Sequence, residues 1–408
     1  MADHSGIFPS FLLSGFECST FIWKDYGRRN LMAETQHLSH AHEDYNILRG
    51  LGFAAAREAI PWPFVAQGTS YDFSCIDPII KALNETHILP IWDLCHYGYP
   101  NHLDPFSADF AESFARYCHA AAKYVVSRLP GPYCFTPINE ITLFSFCGGE
   151  WGWIAPFQTS RAHRHRLLFS LCRAAIAGVR AIREVDPNAR MVHMDPLVQV
   201  VAPRDRPDQA DRAYYETYVD TFVAWDIICG KQHPEFGGTP EILDIVGVSY
   251  YPFGQMEYRE DGPHHALPPM DDRIKPLRTM LHLVWERYQR PILIGETSGV
   301  GIERGSWLNY VMEESLAAID VGIDLHGICV FPAVDMPHWH TGEGLHIGIC
   351  DLLEEGGILK RCPYEPYVQE LRRWQKQFAG GASNPLSHVI KLEDIIEAAK
   401  RRQQDKDG

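Results

Sequence analysis

The chain has 408 residues, a formal net charge of −15 and 46% hydrophobic residues, enough apolar material for one large core or two ordinary ones. That acidity works against attraction to phosphate backbones or anionic membrane surfaces, which rests on Lys and Arg neutralising those charges, so neither nucleic acid nor membrane is an expected partner. No apolar run reaches membrane-spanning length, the N-terminal MADHSGIFPS carries no secretory pattern, and eleven scattered cysteines without a C-x-x-C pair read as reduced thiols; a cytoplasmic protein is expected.

Short apolar runs alternate with longer amphipathic stretches for most of the length, as βα units with a parallel sheet do. In chain order the runs are 11–17 (FLLSGFE), 54–60 (AAAREAI), 88–94 (ILPIWDL), 133–139 (YCFTPIN), 190–194 (RMVHM), 244–250 (DIVGVSY), 291–296 (PILIGE) and 325–331 (LHGICVF). Segments 109–127 and 165–184 place Leu, Ala, Ile and Val at three- and four-residue spacing and predict helices that cover one face of a sheet. An open doubly wound sheet would offer a Gly-rich phosphate loop after its first strand, and FLLSGFECST lacks one. Eight repeats predict a closed (β/α)8 TIM barrel over residues 8–378. Residues 200–240 read as an enlarged helical connection after the fifth strand, and 255–272, with two glycine or proline pairs, as a long loop after the sixth. From 379 to 408, AGGASNP is linker-like and LEDIIEAAKRRQQDKDG reads as a charged helical extension outside the barrel.

In such a barrel the active site is assembled where the strands stop. Glu140 ends the fourth run in TPINE and Glu296 ends the seventh in PILIGET, and strands four and seven face each other across the barrel. Hydrolysis of a glycosidic bond needs one carboxyl to protonate the leaving oxygen and a second to trap the oxocarbenium-like centre. The pair Glu140 and Glu296 therefore predicts a glycoside hydrolase acting on a carbohydrate or glycoside, with no metal or organic cofactor required. The histidine pairs His163/His165, His264/His265 and His338/His340 do not fit the H-x-H that metal-dependent hydrolase barrels place on their first strand, and are read as loop or surface residues.

These motifs resemble the family 1 glycoside hydrolases, of the large clan of (β/α)8 retaining enzymes, from FLLSGFE to about residue 378. EDYNILRGLGFAAAREAIPW is similar to the family's first helix and second strand, IWDLCHYGYP to its third-strand signature, TPINE to its acid/base motif, DIVGVSYYP to the sixth strand, PILIGETSG to the nucleophile strand and VDMPHWHTGEG to the eighth-strand loop. The resemblance implies that Glu140 is the acid/base and Glu296 the nucleophile, that Arg57 lies beside the nucleophile, that His96 and Asn139 meet sugar hydroxyls, that Tyr251 bonds Glu296 and that Trp339 is an aromatic platform, with Trp62 a second candidate. An arginine beside Glu296 would keep it ionised, while a less solvated Glu140 next to negative charge would be raised, which divides their labour. The chain departs from the family where sugars are selected. His338 stands at the usual acidic position, Glu17 lies near the usual glutamine, Ser249 replaces an asparagine, Pro137 and Ile141 alter the acid/base motif, and no Ser and Lys pattern for a 6-phosphate follows Trp339. The leading expectation is a retaining β-glycosidase; a transglycosylase using the same glutamates and a silent carbohydrate-binding barrel are the alternatives.

Overall fold

The computed structural model describes residues 7–260 and 262–379; the expected tail from 380 onward lies outside the described residues. Eight parallel strands, β1 Leu12–Gly15, β2 Ala55–Ala59, β3 Leu89–Asp93, β4 Cys134–Thr136, β5 Arg190–Pro196, β6 Ile245–Ser249, β7 Ile292–Thr297 and β8 Leu325–Val330, close into a barrel in which β1 pairs with both β2 and β8. Each of the eight apolar runs in the sequence coincides with one of these strands, β5 and β7 extending beyond the ends of theirs. The helices α1 His37–Gly50, α2 Asp77–Thr86, α3 Phe110–Val126, α4 Arg161–Val185, α5 Val223–Ile228, α6 Leu277–Tyr288, α7 Arg304–Asp320 and α8 Glu365–Ala379 follow the strands in turn. No helix among the described residues is long and apolar enough to cross a membrane.

The two-residue period of a strand sorts the core into two parts. Leu13, Ala55, Ile91, Cys134, Val192, Met194, Leu293 and Cys329 fill the barrel interior, whereas Leu12, Ala56, Trp92, Phe135, Val246, Ile294 and Ile328 pack outward under the helices. The interior is too narrow for a side chain at every position. A Cβ on Gly247 or on Gly295 would lie 2.3 Å from the Met194 sulfur, and one on Gly15 would lie 2.9 Å from the Arg57 Cβ, so three glycines make room for Met194 and Arg57. Trp62, a candidate platform, is instead stacked on Tyr117 at 5.3 Å and packed against Phe110 and Phe114. It is core, because the turn after β2 points it outward toward α3.

The connection after β5 is helical, as expected. The segment after β6 is more ordered than its glycines and prolines suggest. Gln255–Glu257 pairs in parallel with Gln199–Val201 and antiparallel with His265–Ala266, and the buried Gln255 amide bonds Lys275 N and O, which fastens this small sheet over the barrel mouth.

A buried ionic cluster joins α1, β2 and the hairpin Cys350–Glu355/Ile358–Pro363. His37 Nδ1 lies 2.7 Å from Asp44, its Nε2 2.9 Å from Glu58, and Arg361 Nε donates to Asp44 at 2.7 Å. Two carboxylates and one guanidinium leave a negative charge that only a protonated His37 cancels. Burial pulls the imidazole down, but Glu58 and Asp44 outweigh it and hold it up at about 9. A folded-state value above the ordinary one contributes stability that is complete below about pH 6.5 and disappears as pH rises through 9. Wild type is therefore expected to lose on the order of 3 kcal/mol from this source across that window. Urea midpoints at pH 6.5 and 9.5 check this, and a His37→Gln variant with an equally steep pH dependence would contradict it.

Candidate active site

Arg57 is the hub of the site. It points inward from β2 and is fully buried, with Nη1 donating to Glu296 Oε1 at 2.5 Å and to Gly295 O at 3.2 Å, while Nη2 donates to Asn139 Oδ1 at 2.8 Å and to Asp93 at 3.1 Å. Burial disfavours its charge, yet Glu296 and Asp93 more than offset this and keep the guanidinium firmly protonated. A planar fork can satisfy this many acceptors at once; a point charge cannot.

Glu296 reaches this position through an irregularity. Leu293 faces the interior, so strict alternation would send Glu296 outward with Ile292 and Ile294. The register of β7 shifts against both neighbours just before Glu296, and this bulge turns the carboxylate onto Arg57 and onto Tyr251, whose hydroxyl donates to Oε2 at 3.1 Å.

Glu140 follows β4 at the start of a short helix, Ile141–Ser145, in left-handed backbone conformation with φ 48°, a strain of about 1–2 kcal/mol for a residue with a Cβ. Its carboxyl accepts a short hydrogen bond from the Tyr97 hydroxyl. Burial first, then the charge of Glu296, push Glu140 up to about 7, against the lowering effect of Tyr97, Ser249 and His96. Behind it Asp195, on β5, accepts from the Thr142 backbone N at 3.0 Å and hydroxyl at 2.7 Å, and burial holds Asp195 well above the carboxylate range.

The remaining expected residues divide into those brought together here and one that is not. Asn139 bridges Arg57 and His96, donating to His96 Nε2 at 3.1 Å, and the other His96 ring nitrogen lies 3.1 Å from both Cys18 Sγ and Asp93. Both His96 nitrogens are thus engaged with protein, so the ring orients Asn139. Glu17 is buried against Ser19, and burial raises its carboxyl, with His96 and Glu296 near enough to act on it. Trp339 lies edge-on to Tyr97 at 5.2 Å and its indole N–H is buried with no partner among the described residues, a donor available to a ligand. His338 is exposed on the hairpin Met336–Pro337/Gly344–Leu345, where Nδ1 accepts from the backbone N of His340 and of Thr341 at 3.2 Å each. It caps a turn and is not joined to the carboxylate cluster.

Two participants were not singled out from the sequence. Asp93 accepts from Cys95 N with one oxygen, and its other oxygen holds Arg57 and His96. Tyr97 follows His96 directly in IWDLCHYGYP, and a polar aromatic one residue beyond a strand-end histidine was the available signal. Trp151 and Trp153 pack with their rings tilted and 4.6 Å apart and continue through Trp23 to His340, forming an aromatic wall beside the mouth. The other paired histidines are engaged elsewhere: His163 with Ser160, His264 with Glu216 and His265 with Arg259. Two groups bring metal-type ligand atoms together, Cys18/Asp93/His96 and Asp335/His346/Asp351. In each an arginine, Arg57 at 3.1 Å from Asp93 and Arg304 at 2.8 Å from Asp351, already supplies the positive charge.

No family model matches the chain. Among curated proteins it is 21% identical over 354 residues to a phospho-cellobiase of Klebsiella oxytoca, covering 72% of this chain and 75% of that one. It is 22% identical over 365 residues to β-glucosidase A of Thermotoga maritima, covering 77% and 81%. The solved family 1 β-glucosidase from Thermotoga maritima superposes with a TM-score of 0.73 at 18% identity over 93% of this chain and all of that one. In fold, the chain is similar to a family 1 β-glucosidase. An enzyme from Alicyclobacillus herbarius superposes with a TM-score of 0.72 at 18% identity, covering 85% of this chain and 88% of its own.

Proposed function

We propose that this protein is a retaining β-glycosidase that cleaves a β-linked glycoside by double displacement, with Glu296 as nucleophile and Glu140 as acid/base. The observation that carries this reading is the contrast between the two carboxyls. Glu296 is gripped by a guanidinium and a phenol, while Glu140 is desolvated, faces that negative charge and is pushed up to about 7. One carboxyl is thus prepared to attack as an anion and the other to arrive with its proton. When Glu296 becomes an ester its charge is gone, Glu140 loses the repulsion that raised it, and it becomes the base that activates water for the second displacement. The kinship with β-glucosidases and a phospho-cellobiase supports a β-configured carbohydrate substrate.

The reading is tested with a panel of nitrophenyl gluco-, galacto-, manno-, fuco-, xylo- and glucuronides in both anomeric forms, with Glu296→Gln as control. A β-selective activity abolished in the control is expected; α-selectivity, activity untouched in the control, or silence across the panel overturns it. Because the first step needs protonated Glu140, kcat/KM is expected to fall as pH rises through about 7, approaching tenfold per pH unit above it. A flat profile from pH 6 to 9 on a poor leaving group would contradict the acid role.

A further inference from the structure

We propose that Tyr97 is a positioning residue of the acid/base: its hydroxyl fixes the Glu140 carboxyl by donating a hydrogen bond to Oε2, and so sets the pH at which Glu140 releases its proton. This rests on the assignment of Glu140 as acid/base. The direction of the hydrogen bond follows from its neighbours. The Asn139 amide donates to the Tyr97 oxygen at 3.5 Å, which leaves the phenolic proton for Glu140, and Asn139 is itself held by Arg57 and His96. The nucleophile's arginine and the acid/base are therefore linked through one chain of donors, each polarising the next.

The tyrosine is built in place. Its backbone is left-handed, φ 61°, and its ring stands edge-on against His96 at 4.7 Å, Trp339 at 5.2 Å and Phe144 at 5.7 Å. The next residue is clamped as well: a Cβ on Gly98 would fall 2.0 Å from Thr20 Oγ1, while Thr20 N donates to His96 O at 3.0 Å. The turn 96–98 is thus pressed against the loop after β1, and the hydroxyl has one place to go. A buried left-handed tyrosine persists only where its surroundings over-determine it.

The groups that face Glu140 come from several elements. Glu296 on β7 raises it; Tyr97 and His96 after β3 and Ser249 at the end of β6 lower it; Cys147, Asp195 and Tyr251 are also close enough to sense its charge. Of the groups that lower it, Tyr97 has the largest effect. Its proton can be removed with the ring retained.

The test is Tyr97→Phe, with the Glu140 carboxyl followed by ¹³C NMR and assigned by its disappearance in Glu140→Gln. Loss of a hydrogen bond to a charged acceptor is expected to move the titration upward by about 1–2 pH units, and the basic limb of kcat/KM to move with it. An unmoved titration overturns the proposal. The NMR readout needs no substrate, so it decides the role of Tyr97 even if no glycoside is turned over, an outcome that would count against the glycosidase reading alone. Should Tyr97→Phe not fold, 3-fluorotyrosine at position 97, a more acidic donor, is expected to move the titration downward; no movement again overturns the proposal.

Discussion

Replacing Glu296 by alanine is expected to lower kcat on a dinitrophenyl β-glycoside by on the order of 10⁴-fold or more, and added azide is expected to restore part of the rate while yielding an α-glycosyl azide. The truncation opens a space lined by the Arg57 guanidinium and the Tyr251 hydroxyl, the two groups that hold the carboxylate. A small anion fits that environment and attacks from the face the nucleophile occupied, giving a single inversion. Glu140→Ala is expected to behave differently. A dinitrophenolate leaves without protonation, so the covalent intermediate still forms, and azide then intercepts it from the other face to give the β-azide. The anomeric configuration of each azide, read by ¹H NMR, assigns the two roles separately. A β-azide from Glu296→Ala, or a wild-type rate in that variant, would remove Glu296 as nucleophile.

The second large effect is expected at Arg57. Arg57→Leu leaves Glu296 and Asp93 buried without their cation and strips Asn139 of its donor. Breaking one side of a buried ion pair costs about 3–5 kcal/mol, and urea denaturation at pH 8 is expected to show a loss of that size together with loss of turnover. The deficit should shrink toward pH 5, because carboxylates that lose their cation take up protons more readily and a protonated carboxyl needs no cation. A loss below about 1 kcal/mol at pH 8 would mean that Glu296 is held by something else. Arg57→Lys is expected to recover part of the stability and little of the rate, since one ammonium cannot bridge Glu296, Asp93 and Asn139 together.

The barrel was legible because its signal is periodic and repeated. Each of the eight apolar runs coincides with a strand, and the spacing in 109–127 and 165–184 identified α3 and α4. The two facing carboxyls proposed as the catalytic pair were legible because Glu140 and Glu296 stand at strand ends, where the topology itself concentrates polar chemistry. The missing parts depend on side-chain direction. Alternation predicts an outward Glu296, and only the bulge in β7 reverses it. The left-handed turn that sends the Tyr97 hydroxyl to Glu140 has no propensity signal, since Tyr is disfavoured there. Trp62 was misjudged because a motif match does not show which side of the wall the turn after β2 exits. The segment 255–272 was read from composition, and its sheet depends on a partner more than fifty residues earlier.

The ionic cluster around Asp44 also bears on how the chain reaches its final shape. Asp44 and Arg361 are 317 residues apart, and the adjoining seam of the barrel pairs Leu12 with Ile328. During synthesis the early segment carries His37, Asp44 and Glu58 without their compensating arginine until almost the whole barrel has emerged. The last seam and the last charge are then supplied by the same late stretch. Closure of so long a loop is entropically slow, so the N-terminal strands wait with an open edge, the stage at which such chains are most prone to pair with one another.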